Sequence, residues 1–456
     1  MTIQLVPLRL PLLALALALM GSAPACTPAP ANNGGTADSV PPPAAQAPAT
    51  QAPGATAAAQ ASARIDAVPG LEVLVRDSMH LVRGKRVGLI TNQSAVTRAS
   101  EHAADYLRAN GVNLVALYGP EHGIRGDLEA GETVAAGRDT KTGVPVYSLY
   151  DRTQRPTAEE LRGVDVLVYD IQDVGARPYT FVWTMAMAIE EAAKHRIPFI
   201  VLDRPNPITD VSEGPVMHMD VRNVTQVITG YYAVPLRHGM TSGEVARYFN
   251  ADAGVGAQLH VVPVDGWRPD VFFDNTTLPF IRPSPNIRSV DAELKFSGLV
   301  LADGATNIHT GRGTDAPFSY FGAPWLDTER LMQAVAKYEL PGVRFVPEQI
   351  RPTRDPAVYT SYRDTAFTTL RVEVTDRRAF RPVWTTLVLL SEAKKQNPER
   401  FRVMNTGFTQ MLGSRWAREA FDRGEDPRVI QRRWEEELAA WMQKREQYRI
   451  YPKAGR

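Results

Sequence analysis

Four short apolar runs, each ending in polar residues, constrain this chain more than any other feature. They lie at 86–91, 113–118, 164–170 and 198–202, with helical spacing at 99–110 and 184–195. The third, Val164-Asp165-Val166-Leu167-Val168-Tyr169-Asp170, is almost continuously apolar. A strand with one wet face alternates, whereas a strand covered on both faces reads as an unbroken apolar run. The pattern therefore predicts a parallel sheet with helices on both sides, an α/β domain of Rossmann-like layering. No Gly-x-Gly-x-x-Gly turn follows any of the runs, so a dinucleotide is not implied and no cofactor is expected.

Past residue 283 the character changes. Strand-like pieces at 296–301 and 366–374 mix with helices at 328–337 and 383–395, and 426–448 reads as a long amphipathic helix rich in Arg, Glu and Trp. Roughly 390 residues remain once the N-terminal segments are set aside, more than one core normally serves. The expected organisation is a Rossmann-like domain over 64–283 and a smaller α+β C-terminal domain over 284–456.

The first 25 residues have the form of an export signal, with Arg9 as the charged region and 10–20 as an apolar core. That core is too short to span a bilayer, which takes roughly 20 apolar residues. Small residues then lead to Cys26, the only cysteine, placed where a bacterial lipoprotein carries its acylated residue. Ordinary cleavage of the signal is the alternative. Residues 26–63 are rich in Pro, Ala, Gly, Gln, Ser and Thr and read as a disordered tether. The protein is thus expected to be exported to the periplasm, with any membrane contact made through a lipid at Cys26.

A single cysteine excludes an internal disulfide framework. Lys and Arg total 51 against 50 Asp and Glu, with no basic tract, so nothing points to nucleic acid. Zinc or calcium ligand spacing is absent, and no metal is expected even if His122, His238 and His309 converge. A serine-hydrolase elbow, Gly-x-Ser-x-Gly, is also missing.

The chemistry gathers at the strand ends. Val115-Ala116-Leu117-Tyr118 runs into Gly119-Pro120-Glu121-His122-Gly123, which sets two titratable side chains just beyond a strand. In an open α/β sheet that edge borders the ligand crevice, although a solvated surface turn would look the same. The other runs deliver Asn92, then Asp170 and Asp173, then Asp203, Arg204 and Asn206 to the same edge. Such a rim suits a polar ligand with many hydroxyls and offers carboxyls for acid–base work. Arg177 and Tyr179 add to it. Arg177 is suited to a ligand carboxylate, or equally to an internal pair with Asp173. Leu236-Arg237-His238-Gly239-Met240-Thr241 reads as a turn into a capped helix, where His238 is more often structural. In the second domain, Asn307 and Arg312 lie in a Gly-flanked loop that allows close backbone approach. Phe318, Tyr320, Phe321 and Trp325 follow it, mostly as core.

Taken together these segments resemble the exo-β-N-acetylmuramidases, glycoside hydrolase family 171. The resemblance rests on Gly88-Leu89-Ile90-Thr91-Asn92, Gly119-Pro120-Glu121-His122-Gly123 and the run from Tyr169 through Asp173 to Arg177. It continues through Asp203-Arg204-Pro205-Asn206-Pro207, Arg237-His238-Gly239-Met240-Thr241, Pro283-Ser284-Pro285-Asn286 and Gly311-Arg312-Gly313-Thr314. It implies a Rossmann-like domain that bears the active site, a smaller domain closing over it, and release of N-acetylmuramic acid from the non-reducing ends of peptidoglycan fragments. The family's proposed catalytic glutamate falls on Glu121, which would serve as general acid. Asp170 or Asp173, or the substrate's own acetamido group, would supply the second function, and Arg177 or Arg312 would hold the lactyl carboxylate. Two other readings compete: a non-catalytic envelope protein that binds sugar in the same crevice, and a metal-dependent esterase or amidase using His122 and His238.

Overall fold

Among the described residues of the computed structural model, seven strands form the main sheet in the order β3-β4-β2-β1-β5-β6-β9. They are β1 Arg86–Thr91, β2 Asn113–Gly119, β3 Gly137–Arg138, β4 Pro145–Ser148, β5 Val166–Asp170, β6 Phe199–Leu202 and β9 Leu259–Val262. Every pairing is parallel except β3 with β4. Residues 64–126, 137–150, 153–222, 229–353, 361–403 and 405–452 are described; the expected export signal, Cys26 and the tether lie outside them.

The sheet is apolar on both faces because its strands alternate between two cores. Val87, Leu89, Val166, Val168, Ile200 and Leu202 pack beneath α1 (Gly70–Asp77) and α2 (Ala103–Ala109). Ile90, Leu167, Tyr169, Phe199 and Val201 pack beneath α3 (Phe181–Lys194) and α4 (Ser242–Asp252). The α/β expectation holds, and the four runs are four of the strands. β4, between β2 and the two-residue β3, and β9, at the opposite edge, are short and partly exposed and carry too weak an apolar signal to be read from sequence.

Strand order fixes where a ligand fits. From β1 the chain goes outward to β2 and β4, then returns across β1 to begin β5 and runs outward the other way. The order reverses between β1 and β5, and at such a switch point the carboxyl ends of neighbouring strands open a crevice. Asn92 follows β1 and Asp170 ends β5.

A small hairpin, β7 (Glu213–Val216) with β8 (Pro235–Arg237), joins the sheet region to the second half. That half holds an antiparallel sheet ordered β10-β12-β11, from β10 Tyr320–Phe321, β11 Val343–Ile350 and β12 Phe367–Val374. Among the described residues six helices accompany it: α5 Val290–Leu299, α6 Thr328–Val335, α7 Pro382–Gln396, α8 Asn405–Leu412, α9 Arg415–Asp422 and α10 Pro427–Arg445. Their core takes in Ile208, Leu236 and Val264 from the earlier part of the chain. Tyr451 donates its hydroxyl to Asp203 at 2.7 Å and so ties the C-terminal tail to the main sheet.

The strand expected at 296–301 is a correction: those residues end helix α5 and its following turn. A short apolar run cannot by itself separate strand from buried helix. Here Ser289 caps the helix by accepting the Ala292 N–H, and Val290, Ala292, Leu294 and Phe296 are all buried.

Candidate active site

β2 delivers Glu121 to the sheet edge through a turn closed by the Gly123 N–H on the Pro120 carbonyl, 2.9 Å. His122 takes a left-handed backbone, φ 72°, next to Gly123 at φ 75°. A non-glycine residue held there costs about 1–3 kcal/mol, strain of the kind that collects at functional sites. The turn leaves Glu121 half-buried and sends His122 inward, where its ring meets Phe181 edge-on at 6.5 Å.

Two hydroxyls face the Glu121 carboxyl. Thr180, at the N-cap of α3, donates its hydroxyl to Glu121 Oε2 at 2.9 Å and leaves the helix end uncapped by its side chain. Glu121 therefore lies against the positive end of a helix. Tyr150 is the second, its phenol driven well above the usual range by burial and by the neighbouring Glu121 carboxylate, to which it hydrogen-bonds. Tyr179 stacks edge-on against Phe181 at 4.8 Å, and its phenol is raised by burial and then by Glu121.

Across the switch point the aspartates separate into different roles. Asp170, fully buried, is gripped by Arg204 through Nε at 2.5 Å and Nη2 at 3.1 Å. Arg204 also donates to the Val96 carbonyl, which leaves the pair locked in place. Asp173 presents Oδ2 to the Gly175 N–H at 2.8 Å and to His238 Nε2 at 3.1 Å, while its Oδ1 is buried without a partner. His238 accepts the Met240 N–H on Nδ1, which assigns its proton to Nε2 and makes it the donor to Asp173. Asn92 spends its Oδ1 on the Ser94 N–H and hydroxyl, at 3.0 and 2.6 Å, and keeps a buried Nδ2 with no partner. The Gln172 N–H donates to the same Ser94 hydroxyl and closes β1 against β5.

Other expected site residues are committed to holding the fold. Asp203 accepts the Thr241 and Tyr451 hydroxyls and the Gly243 N–H at the start of α4. Burial nonetheless lifts its carboxyl to about 6, against the pull of those bonds. Asn206 donates to the Met240 carbonyl and accepts the Ile208 N–H. Arg177 pairs with neither Asp173 nor any other carboxylate among the described residues. It is wholly buried, donates to the carbonyls of Pro215, Val234, Gln410 and Met411, and is pulled down to about 9 by burial. Asn307 bridges the Arg400 carbonyl and the Arg402 N–H, away from the strand ends.

Arg312 forks onto Asp303 at 2.7–3.0 Å and lies 5.1 Å above the Phe318 ring. Phe318 meets Phe296 at 4.9 Å and Phe296 meets Tyr179 at 5.8 Å, so an aromatic relay joins the Gly-Arg-Gly loop to the Glu121 site. The structure thus brings Glu121, His122, Tyr179, Asp173, His238 and Asn92 to one edge.

Sequence reasoning missed Tyr150, Thr180 and Glu293. The first two lie outside any recognisable pattern, since only folding sets them against Glu121. Glu293 left little signal, because α5 also carries Asp291, Lys295 and Ser297 and nothing in the sequence sets one carboxyl apart. Among the described residues no group of three or more His, Cys, Asp or Glu is arranged to hold a metal ion.

Comparison with known proteins extends this geometry. Residues 87–291 match the family described as Exo-beta-N-acetylmuramidase NamZ, N-terminal, and residues 294–451 match Exo-beta-N-acetylmuramidase NamZ, C-terminal. The chain is 40% identical over 385 residues to the Peptidoglycan beta-N-acetylmuramidase NamZ of Bacillus subtilis (strain 168), covering 84% of this chain and 91% of that protein. A DUF1343 family protein of Bacteroides fragilis NCTC 9343 has a crystal structure that matches with TM-score 0.78 and 32% identity, over 85% of this chain and 100% of its own. A second from the same organism matches with TM-score 0.67 and 24% identity over 85% and 99%, a likeness of fold alone.

Proposed function

Because the chain belongs to the exo-β-N-acetylmuramidase NamZ family, we propose that it is an exo-acting glycoside hydrolase. It releases N-acetylmuramic acid from the non-reducing ends of peptidoglycan fragments. The observation that carries this reading is the 40% identity, over nearly the whole folded chain, to a relative named for that activity.

Glu121 is the general acid in this account. It stands half-buried at a strand end, with the Thr180 and Tyr150 hydroxyls and the N-terminus of α3 around it. In its protonated form it gives a proton to the leaving glycosidic oxygen as an oxocarbenium-like transition state develops. Asp173 is the second carboxylate. Its unpartnered Oδ1 is available to positive charge at the sugar, while His238 holds Oδ2 in place. Asp170 positions the rim through Arg204, since both its oxygens are already taken. Asn92, with a free amide donor, and Tyr179 are assigned to the sugar's polar groups. The lactyl carboxylate falls to Arg312, which Asp303 orients and which reaches the surface, whereas Arg177 is wholly buried.

The substrate's location agrees with export. Arg9, the apolar run at 10–20 and Cys26 support a lipid-anchored periplasmic protein whose catalytic unit works at the end of a Pro- and Ala-rich tether.

Product analysis tests the reading. Purified protein incubated with a muramyl disaccharide should liberate free N-acetylmuramic acid. Intact disaccharide together with measurable binding would instead identify a sugar-binding protein.

A further inference from the structure

Helix α5 carries a carboxyl group that the fold leaves unsatisfied. Glu293 is 1% exposed, sits between buried Ala292 and Leu294, and has no hydrogen-bond partner on either oxygen. Burying a polar group without a partner is costly, and an apolar side chain of similar size would remove that cost. A residue that lowers stability where it stands suggests a partner from outside the chain.

Its surroundings indicate the partner's chemistry. Glu293 lines a narrow cavity with Ser94, Gln172 and Arg204, walled by Phe273 and Phe280. The free volume is about 10 Å³, room for one water-sized group. Gln172 Oε1 is likewise buried without a partner. Burial first, and then the Asp173 charge, hold the Glu293 carboxyl well above the usual carboxylate range. A carboxyl kept neutral offers one donor beside its acceptors. Ser94, in the same lining, donates to Asn92 Oδ1 and accepts the Gln172 N–H, which sets the cavity among the strand ends that carry Asn92 and Asp173.

We infer that Glu293 and Gln172 form the closed end of the sugar site, where they receive the free 4-hydroxyl of the terminal residue and make the enzyme exo-acting. The inference rests on the muramidase reading. In a β-1,4-linked glycan, a terminal sugar has a hydroxyl at that position, whereas an internal sugar has an oxygen carrying another ring. The hydroxyl donates to Gln172 Oε1 and accepts from the neutral Glu293 carboxyl. A second ring does not fit a space of that size between Phe273 and Phe280. Chain ends are admitted and chain interiors refused.

The test uses an aryl β-N-acetylmuraminide together with its 4-deoxy and 4-O-methyl analogues. A site built to bond a hydroxyl rejects analogues that lack it, and the wild-type protein should lose at least about 10²-fold in kcat/KM on each. Glu293→Leu should fold with stability no lower than wild type, act more slowly on the parent substrate, and prefer it to the 4-deoxy analogue by less than about 10-fold. Glu293→Gln, which keeps a donor and an acceptor, should retain most of the preference. Wild-type protein that cleaves all three alike, or a Glu293→Leu variant with the wild-type preference, would overturn the inference. If no muraminide is cleaved, calorimetry with free N-acetylmuramic acid and its 4-deoxy analogue separates the two ideas. Preferential binding that Glu293→Leu abolishes keeps the subsite while the glycosidase reading falls. Equal binding, or none, removes both.

Discussion

Replacing Glu213 by Gln should flatten a loss of stability that this fold undergoes as pH rises from about 4.5 to about 7. Glu213 opens β7 and is buried; its Oε1 accepts the Trp384 N–H at 2.8 Å near the start of α7, and its Oε2 has no partner. Burial lifts the carboxyl from 4.5 to about 7, against the opposing pull of the Trp384 N–H and of Arg237 and Arg381. Between those values the folded protein holds a proton that the unfolded chain has released. The contribution is therefore fully present below about pH 4.5, shrinks as pH climbs, and is gone above about 7. The gap from 4.5 to about 7, at about 1.4 kcal/mol for each tenfold step in proton affinity, corresponds to about 3 kcal/mol. Gln keeps the acceptor for Trp384 and has no charge to desolvate. Urea unfolding followed by tryptophan fluorescence, from pH 4.5 to 8, should show the variant gaining about 3 kcal/mol on wild type across that range. Asp203, raised to about 6, adds a decline of the same sign to both proteins and cancels in the difference. Stability curves that stay parallel would show that folding does not oppose Glu213 ionisation, and the reasoning would be wrong.

Three further outcomes are expected, the last of them from the sequence alone. Arg204→Met leaves Asp170 buried and unpaired, which should cost about 3–5 kcal/mol in urea unfolding; adding Asp170→Leu should recover most of it. A chelator should leave turnover unchanged, and activity lost to it and restored by zinc would revive a metal-dependent esterase. Cys26→Ser should release the protein from the membrane fraction or block its processing. Undiminished membrane partitioning of a correctly processed Cys26→Ser protein would remove the lipid from the account.

The sequence made the main sheet legible because β1, β2, β5 and β6 are covered on both faces and show it as unbroken apolar runs. The polar rim was legible for the same reason: a run that stops at Asn92, Glu121, Asp170 or Asp203 marks a strand end. What each residue does there was less accessible, because strand ends recruit binding groups and structural hubs from the same residue types. Arg177 and Asp203 sit in motifs as conspicuous as that of Glu121, yet their bonds run to backbone carbonyls, to Thr241 and Tyr451, and to the Gly243 N–H. Tyr451 lies 248 positions from Asp203 in the chain, a separation that no local pattern reports. Helix α5 was misread in part because its buried face surrounds the helix, which leaves no 3.6-residue period to see.

The central claim, that Glu121 protonates the leaving oxygen, is tested most directly by Glu121→Gln on two substrates. Gln preserves the shape and accepts the Thr180 hydroxyl, but it has no carboxylic proton to give. On a muramyl disaccharide, whose sugar leaving group needs protonation, turnover should fall by at least about 10²-fold. On an activated aryl muraminide, which departs without help, the loss should be much smaller. Near-normal turnover of the disaccharide by Glu121→Gln, or an equal loss on both substrates, would contradict the assignment.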